Sequence, residues 1–249
     1  MARRRILNIA SKKKSDTMMP TVVNGIEVQP GGYGMPGNIT SVFIWNATAR
    51  DRLSNNNQPT ASSVRESDTC FMRGLKERIT IRTGSQASWR WRRICITMKG
   101  YEQNFAPTYP DQENSNGWMR MLRNYNGLPV LAAFTDYIFK GNQGVDWFDV
   151  MNAKIDTNRV TLKYDKIRTI NSGNGVGKYA NYNLWHPMNH NLVYANDESG
   201  EGESNQVVST QGRAGMGDYY VIDLFTCATG GSGDSLLFQP EATLYWHEK

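Results

Sequence analysis

The sequence predicts an all-β fold, a sandwich or barrel of antiparallel strands, on three observations. Short runs alternate apolar and polar residues with a period of two, so one face of each run is apolar. These runs are rich in β-branched and aromatic residues, which suit a pleated, half-buried surface. Glycine and asparagine break the chain repeatedly between them, as hairpin turns require.

In chain order, Val42–Trp45 is the first run. Arg78–Thr83 sets Ile79 and Ile81 against Arg78, Thr80 and Arg82. Trp89–Met98 sets Trp89, Trp91 and Arg93 on one face and Arg90 and Arg92 on the other. Arg159–Asp165 opposes Val160, Leu162 and Tyr164 to Thr161 and Lys163. Tyr137–Lys140, Tyr179–Trp185, Tyr219–Phe225, Leu236–Phe238 and Thr243–Trp246 complete the expected strands. One segment has the other period. Trp118, Met121, Leu122 and Tyr125 fall at i, i+3, i+4 and i+7, which predicts a short inserted helix, capped by Ser115 or Asn116 and stopped at Asn126-Gly127.

A length of 249 residues with 39% hydrophobic and 20% charged side chains suits a folded chain with a substantial core. The apolar run Leu128–Phe134 is far short of a bilayer span and contains Pro129, and no secretory leader is visible, so neither a membrane nor a secreted protein is expected. Cys70, Cys95 and Cys227 form no disulfide framework and no metal pair, which fits a reducing compartment.

The net charge of +5 is unevenly placed. Arg3, Arg4, Arg5, Lys12, Lys13 and Lys14 all precede the first acid, Asp16; the other 235 residues carry 22 basic and 23 acidic side chains. A basic arm, residues 1–20, on an electrically balanced body, residues 21–249, is the expected organisation, and such an arm suits a polyanion. Its contacts would be to phosphates, six of them giving a salt slope near −4 on a single strand. Deleting residues 1–14 is expected to remove that binding and leave the body folded.

Catalytic motifs fail on inspection. Gly173–Tyr179 lacks the first glycine and the final hydroxyl of a phosphate loop. His186 and His190 are separated by Pro187 and have no accompanying glutamate, so no helical zinc pair is expected. The acids Asp197, Glu198, Glu201 and Glu203 miss calcium-loop spacing, and Gly230–Asp234 is no nucleophile elbow. No catalytic residue, metal or cofactor is called for, and no enzyme is expected. Trp89-Arg90-Trp91-Arg92-Arg93 interleaves aromatic and guanidinium groups in the manner of single-strand binders. The tryptophans read best as core, while Arg90 and Arg92 are equally well solvent cover or DNA contacts.

The opening RRRILNIASKKKSDTMMP, the central WRWRRICITMKG and the closing GDYYVIDLFTC and LLFQPEATLYWHEK resemble the capsid proteins of genomoviruses, which enclose small circular single-stranded DNA genomes. The resemblance runs over nearly the whole chain, though family arms are longer and richer in arginine than Met1–Lys14. It implies a single jelly roll of two packed antiparallel sheets with eight core strands. It implies a homo-oligomeric icosahedral shell of about 60 copies, and packaging of single-stranded DNA by Arg3–Arg5 and Lys12–Lys14. Virion and host nucleus are the implied locations, and the same basic clusters suit a nuclear import receptor. Asn38-Ile39-Thr40 and Asn46-Ala47-Thr48 match the glycosylation pattern, which goes unused without secretion. The competing class is a monomeric jelly-roll module that binds carbohydrate or nucleic acid.

Overall fold

A computed structural model describes residues 11–25, 27–52, 62–100, 112–114 and 117–249. Arg3, Arg4 and Arg5 lie outside the described residues, as do Ser115 and Asn116. The main strands are β1 (Lys12–Met18), β2 (Ser41–Asn46), β3 (Thr69–Thr83), β4 (Trp89–Met98), β5 (Thr161–Ile170), β6 (Lys178–Val193), β7 (Asp218–Cys227) and β8 (Ser235–Glu248). They form two antiparallel sheets, one in the order β1-β8-β3-β6 and the other β2-β7-β4-β5. In each sheet the earliest strand in sequence lies at an edge and pairs with the latest, β1 with β8 and β2 with β7, which is jelly-roll order. A short strand, Tyr33–Pro36, adds to the start of β8. Pro20–Asn24 pairs with both Glu27–Pro30 and Arg120–Leu122 in a small third sheet.

Residues between the sheets alternate as the sequence predicts. Ile79 and Ile81 of β3 are buried, while Arg78 and Arg82 are exposed. Trp89 and Trp91 point inward and pack with Phe43, Phe225 and Phe238 at one end of the sandwich. Trp45, Leu75, Cys95, Val221, Leu244 and Trp246 belong to a second apolar cluster. Leu236–Phe238 and Thr243–Trp246 are one continuous strand, β8, because Pro240 lies opposite Ile79 without interrupting the register.

Between the two clusters sits a layer of charge. Arg93 from β4 grips Asp223 of β7 with two hydrogen bonds of 2.8 Å and pairs with Glu77 of β3 across the sandwich. Arg120 donates to Glu77 at 3.2 Å and to Asp223 at 2.8 Å, and its guanidinium lies 4.4 Å from the Trp45 ring centroid. The Trp91 indole nitrogen also donates to Asp223, at 2.7 Å. All four charged side chains are 0% exposed. Two cations meet two anions, so the layer is neutral while stapling the sheets together.

The outer faces of the two sheets differ. On the β2-β7-β4-β5 sheet, alternate residues such as Ile94, Ile96, Ile222 and Leu224 are also buried. They share a cluster with Phe134 and Ile138 of helix α1 (Pro129–Ile138) and with Phe139, Met151, Ile155 and Val160 beyond it. The chain from α1 to β5 therefore roofs this sheet. On the other sheet the outward residues of β3 and β6 remain exposed, among them Arg78, Arg82, Tyr179 and Trp185.

Three expectations are corrected. The predicted helix at Trp118–Tyr125 is absent, and those residues contribute the short strands Gly117–Trp118 and Arg120–Leu122. Met121 and Leu122 are neighbours that enter different apolar clusters, which strand alternation permits and a helical face does not. The inserted helix instead begins at Pro129, whose fixed φ and missing N–H suit the first helical turn. Tyr137–Lys140 is accordingly no strand: Tyr137 and Ile138 end α1. Truncating Ile138 to alanine is expected to cost about 2–3 kcal/mol, since a buried isoleucine is lost but the roof can settle inward; thermal unfolding measures it.

The third correction concerns the arm. Lys12–Met18, expected within a flexible arm over residues 1–20, is β1 and pairs with β8 along its whole length, Lys12 opposite Glu248 and Met18 opposite Ala242. Asp16 binds Arg50 at 2.6 Å and Met18 is buried, so a body built around residues 21–249 alone would lack an edge strand and its anchors.

Candidate nucleic-acid interface

Of the residues expected to meet DNA, Lys12, Lys13, Lys14, Arg90 and Arg92 are described, and the fold gives them different roles. Lys14 alternates inward from β1 and is 5% exposed. Its ammonium donates to the Val64 carbonyl at 2.6 Å and to Glu66 at 2.5 Å, with Glu248 3.8 Å away. Lys12 reaches the same Glu66 at 2.7 Å. These two cations, with two facing acids, hold the 64–66 segment against the sheet. Together they press the Glu66 carboxyl below its ordinary range, the Lys12 hydrogen bond contributing most. Lys13 points the other way, exposed beside His247.

Arg92 is buried and fully engaged. It grips Asp165 of β5 at 2.9 and 2.7 Å and donates to the carbonyls of Val150 and Ala153 at 2.6 and 2.8 Å, tying the roof to the sheet. Burial of the roof turned an outward strand position into an interior one, so Arg92 is a structural residue and is withdrawn as a DNA contact. Arg90, one strand step outward, binds Asn152 at 3.0 Å and stands 3.8 Å from Asp149 with 40% of its side chain exposed. It retains a free surface but with an acid beside it.

The remaining motifs resolve into structure. Gly173–Tyr179 spans the β5–β6 turn and the start of β6. Gly177 has φ +90°, and a Cβ there would lie 2.1 Å from the Thr83 carbonyl oxygen, so this glycine serves the turn. His186 is buried with Nε2 3.5 Å from Glu77, whereas His190 sits past a bulge in β6 and its Nδ1 meets the Met188 carbonyl at 2.7 Å. The acidic segment forms a small hairpin, Glu198–Ser199 with Gly202–Glu203, and Arg52 neutralises Glu203. Among the described residues no group of three or more His, Cys, Asp or Glu is placed to hold a metal ion, and no helix is long and apolar enough to cross a membrane. Asn46 of the second glycosylation pattern is buried and accepts hydrogen bonds from the Thr48 N–H and hydroxyl, so that triplet serves the core.

Sequence reasoning missed Arg73 and Lys76, which join Arg78 and Arg82 on the open face of β3. Lys76 continues the alternation of Arg78, Thr80 and Arg82 one step before the run drawn from sequence, whereas Arg73 is the extra residue of a bulge in β3, between Gly74 opposite Tyr245 and Met72 opposite Trp246, and so falls out of that period. Two antiparallel sheets in jelly-roll order, with one sheet roofed and the other open and basic, make the chain a jelly-roll-like β-sandwich. No protein-family model matches the chain, and no curated protein matches it either.

Proposed function

We propose that this chain is a viral capsid protein of the genomovirus type, which assembles into a closed icosahedral shell around single-stranded DNA and performs no catalysis. The observation that supports it best is the jelly-roll strand order joined to a basic N-terminus on a balanced body. A sandwich of this kind leaves its loops free to meet neighbouring copies, and a near-neutral body limits repulsion between them. Equivalent packing in the smallest icosahedral shell (T=1) gives about 60 copies. The arm supplies fewer phosphate contacts than its composition promises, because Lys12 and Lys14 are engaged by Glu66. Arg3, Arg4 and Arg5 remain, because Lys13 belongs to the sheet face through β1, for a salt slope from the arm near −2 on a single strand. The same basic clusters suit import into the nucleus, where a circular DNA genome would be packaged.

Size-exclusion chromatography followed by negative-stain microscopy of the full chain tests the reading. Uniform closed particles, virus-like in the absence of a genome, are expected. Monomers alone, over a range of pH and salt, would overturn it. That outcome would favour a monomeric jelly-roll binding module, a reading supported by the exposed Trp185 and Tyr179 on the open sheet.

A further inference from the structure

We infer that the open face of the β1-β8-β3-β6 sheet is a binding surface for single-stranded nucleic acid, independent of the basic N-terminal arm. Its outward positions form a grid fixed by the strand registers. Arg82 of β3 stands between Tyr179 of β6 and Leu237 of β8; Thr80 between Asn181 and Gln239; Arg78 between Asn183 and Glu241; and Lys76 between Trp185 and Thr243. Further along, Phe71 stands between Asn191 and His247, and β1 adds Lys13 beside His247. Arg73 projects from the bulge and binds the Asn189 side chain at 2.8 Å.

The charge on this face is mostly positive. Lys13, Arg73, Lys76, Arg78 and Arg82 are exposed, and Glu241 is the one acid on these outward positions of the four strands. Among the described residues none of the five cations is in an ion pair, in contrast to Lys12, Lys14, Arg90 and Arg92. Two of them reach His247, whose pKa is lowered by burial first and then by the Arg73 and Lys13 charges. A polyanion is the partner whose charge complements such a face.

Aromatic groups are interleaved with these cations. Tyr179 is 65% exposed with the Arg82 guanidinium 5.9 Å from its ring centroid, and Phe71 carries Arg73 at the same distance. Trp185 is 50% exposed and lies across Gly74 toward Tyr245, ring centroids 5.9 Å apart. A Cβ on Gly74 would come within 2.6 Å of the indole, so the glycine lets the ring lie down on the sheet. Between the aromatic ends is a shallow depression of about 320 Å³ bordered by Arg78, Thr80, Asn181, Asn183, Gln239 and Glu241. Amide side chains there can meet base edges, flat rings can stack bases, and the cations can meet phosphates. Stacking needs unpaired bases, which selects a single strand over a duplex or an anionic membrane. The inference rests on the capsid reading only for the source of that strand.

The test is a fluorescence-anisotropy titration of full-length protein, stripped of nucleic acid in high salt, with a labelled 30-mer of deoxythymidine at several salt concentrations. Five cations on the face contribute about −3.5 to the salt slope, at about −0.7 each. The variant Lys76→Ala/Arg78→Ala/Arg82→Ala is expected to make the slope shallower by about 2. Trp185→Ala is expected to weaken binding about tenfold at unchanged slope, and Trp185→Phe to recover most of the loss. Glu241→Gln, which removes the face's acid, is expected to tighten binding, so a gain of affinity accompanies the losses. Unchanged slope and affinity in the triple variant would overturn the inference. So would equal affinity for duplex DNA of the same length, tighter binding to phosphatidylserine vesicles than to the oligonucleotide, or a changed sedimentation coefficient as the variants' sole effect, which would mark a contact between copies. Particles seen by microscopy with an unaltered slope would sink the face and leave the capsid reading; slope changes without particles would do the reverse.

Discussion

Replacing Arg93 by methionine is expected to destabilise the protein by about 3–5 kcal/mol, because Asp223 and Glu77 are then left charged and underpaired in the interior. For a domain of this size that lowers Tm by roughly 6–20 °C. Arg120→Met should act similarly, since it releases the same two carboxylates. The double variant Arg93→Met/Asp223→Leu should lose less than the sum of its parts, because it removes one charge of each sign and leaves Arg120 with Glu77. Calorimetry of the wild type, the single variants Arg93→Met, Arg120→Met and Asp223→Leu, and the double variant decides the matter. Losses under about 1 kcal/mol would mean that water reaches the layer.

The layer also sets an acid limit. Burial works against ionisation of Glu77, but Arg93, His186 and Arg120 together outweigh it, and the carboxyl is lowered from 4.5 to about 2. A carboxylate depressed by folding contributes stability that is present above its unfolded pKa and lost as pH falls through its folded value. The share from Glu77 is therefore complete above about pH 4.5 and declines from there toward pH 2. Arg93→Met should weaken that depression and flatten the acid limb of the stability curve.

Deleting residues 1–18 is expected to yield aggregated or unfolded protein, whereas deleting residues 1–10 is expected to leave the sandwich intact. The longer deletion removes all of β1 and bares the hydrogen-bonding edge of β8, an invitation to pairing with other chains. It also strips Asp16 from Arg50, whose side chain is 2% exposed, and takes Met18 out of the core. Soluble yield and melting curves of the two deletions measure the difference. A folded, monodisperse 19–249 chain would show that β1 is dispensable. The expectation that residues 1–14 can be removed without touching the fold fails on the same grounds, since Lys14 sits opposite Trp246 and bridges to Glu66. Charge composition identified the basic N-terminus correctly, but composition does not say where an arm stops and a strand begins.

Trp89–Met98 was readable to the residue, because β-branched and aromatic side chains alternate there with arginines. The same holds for the inward set Ile79 and Ile81 and for the turn over residues 173–177, both of which depend on neighbours in sequence. Local pattern also settled the all-β class, since a period of two survives in any sheet whose one face is wet. Strand order, the ion layer and the roof were decided by the tertiary structure alone. Arg93 shares a strand face with Trp89 and Trp91 in sequence, but nothing local marks Arg120 as interior, and only the distant partners Glu77 and Asp223 make both arginines core while Arg78 and Arg82 stay at the surface. Met121 and Leu122 looked helical because a three-residue strand buried on both sides has no period of its own. Arg92 was lost as a surface group for a related reason: the segment that covers it, Val150–Ala153, lies some 60 residues away in the chain and contributes nothing to the pattern around β4. Periodicity reports which side of an element is apolar; burial of the other side depends on what the rest of the chain lays over it.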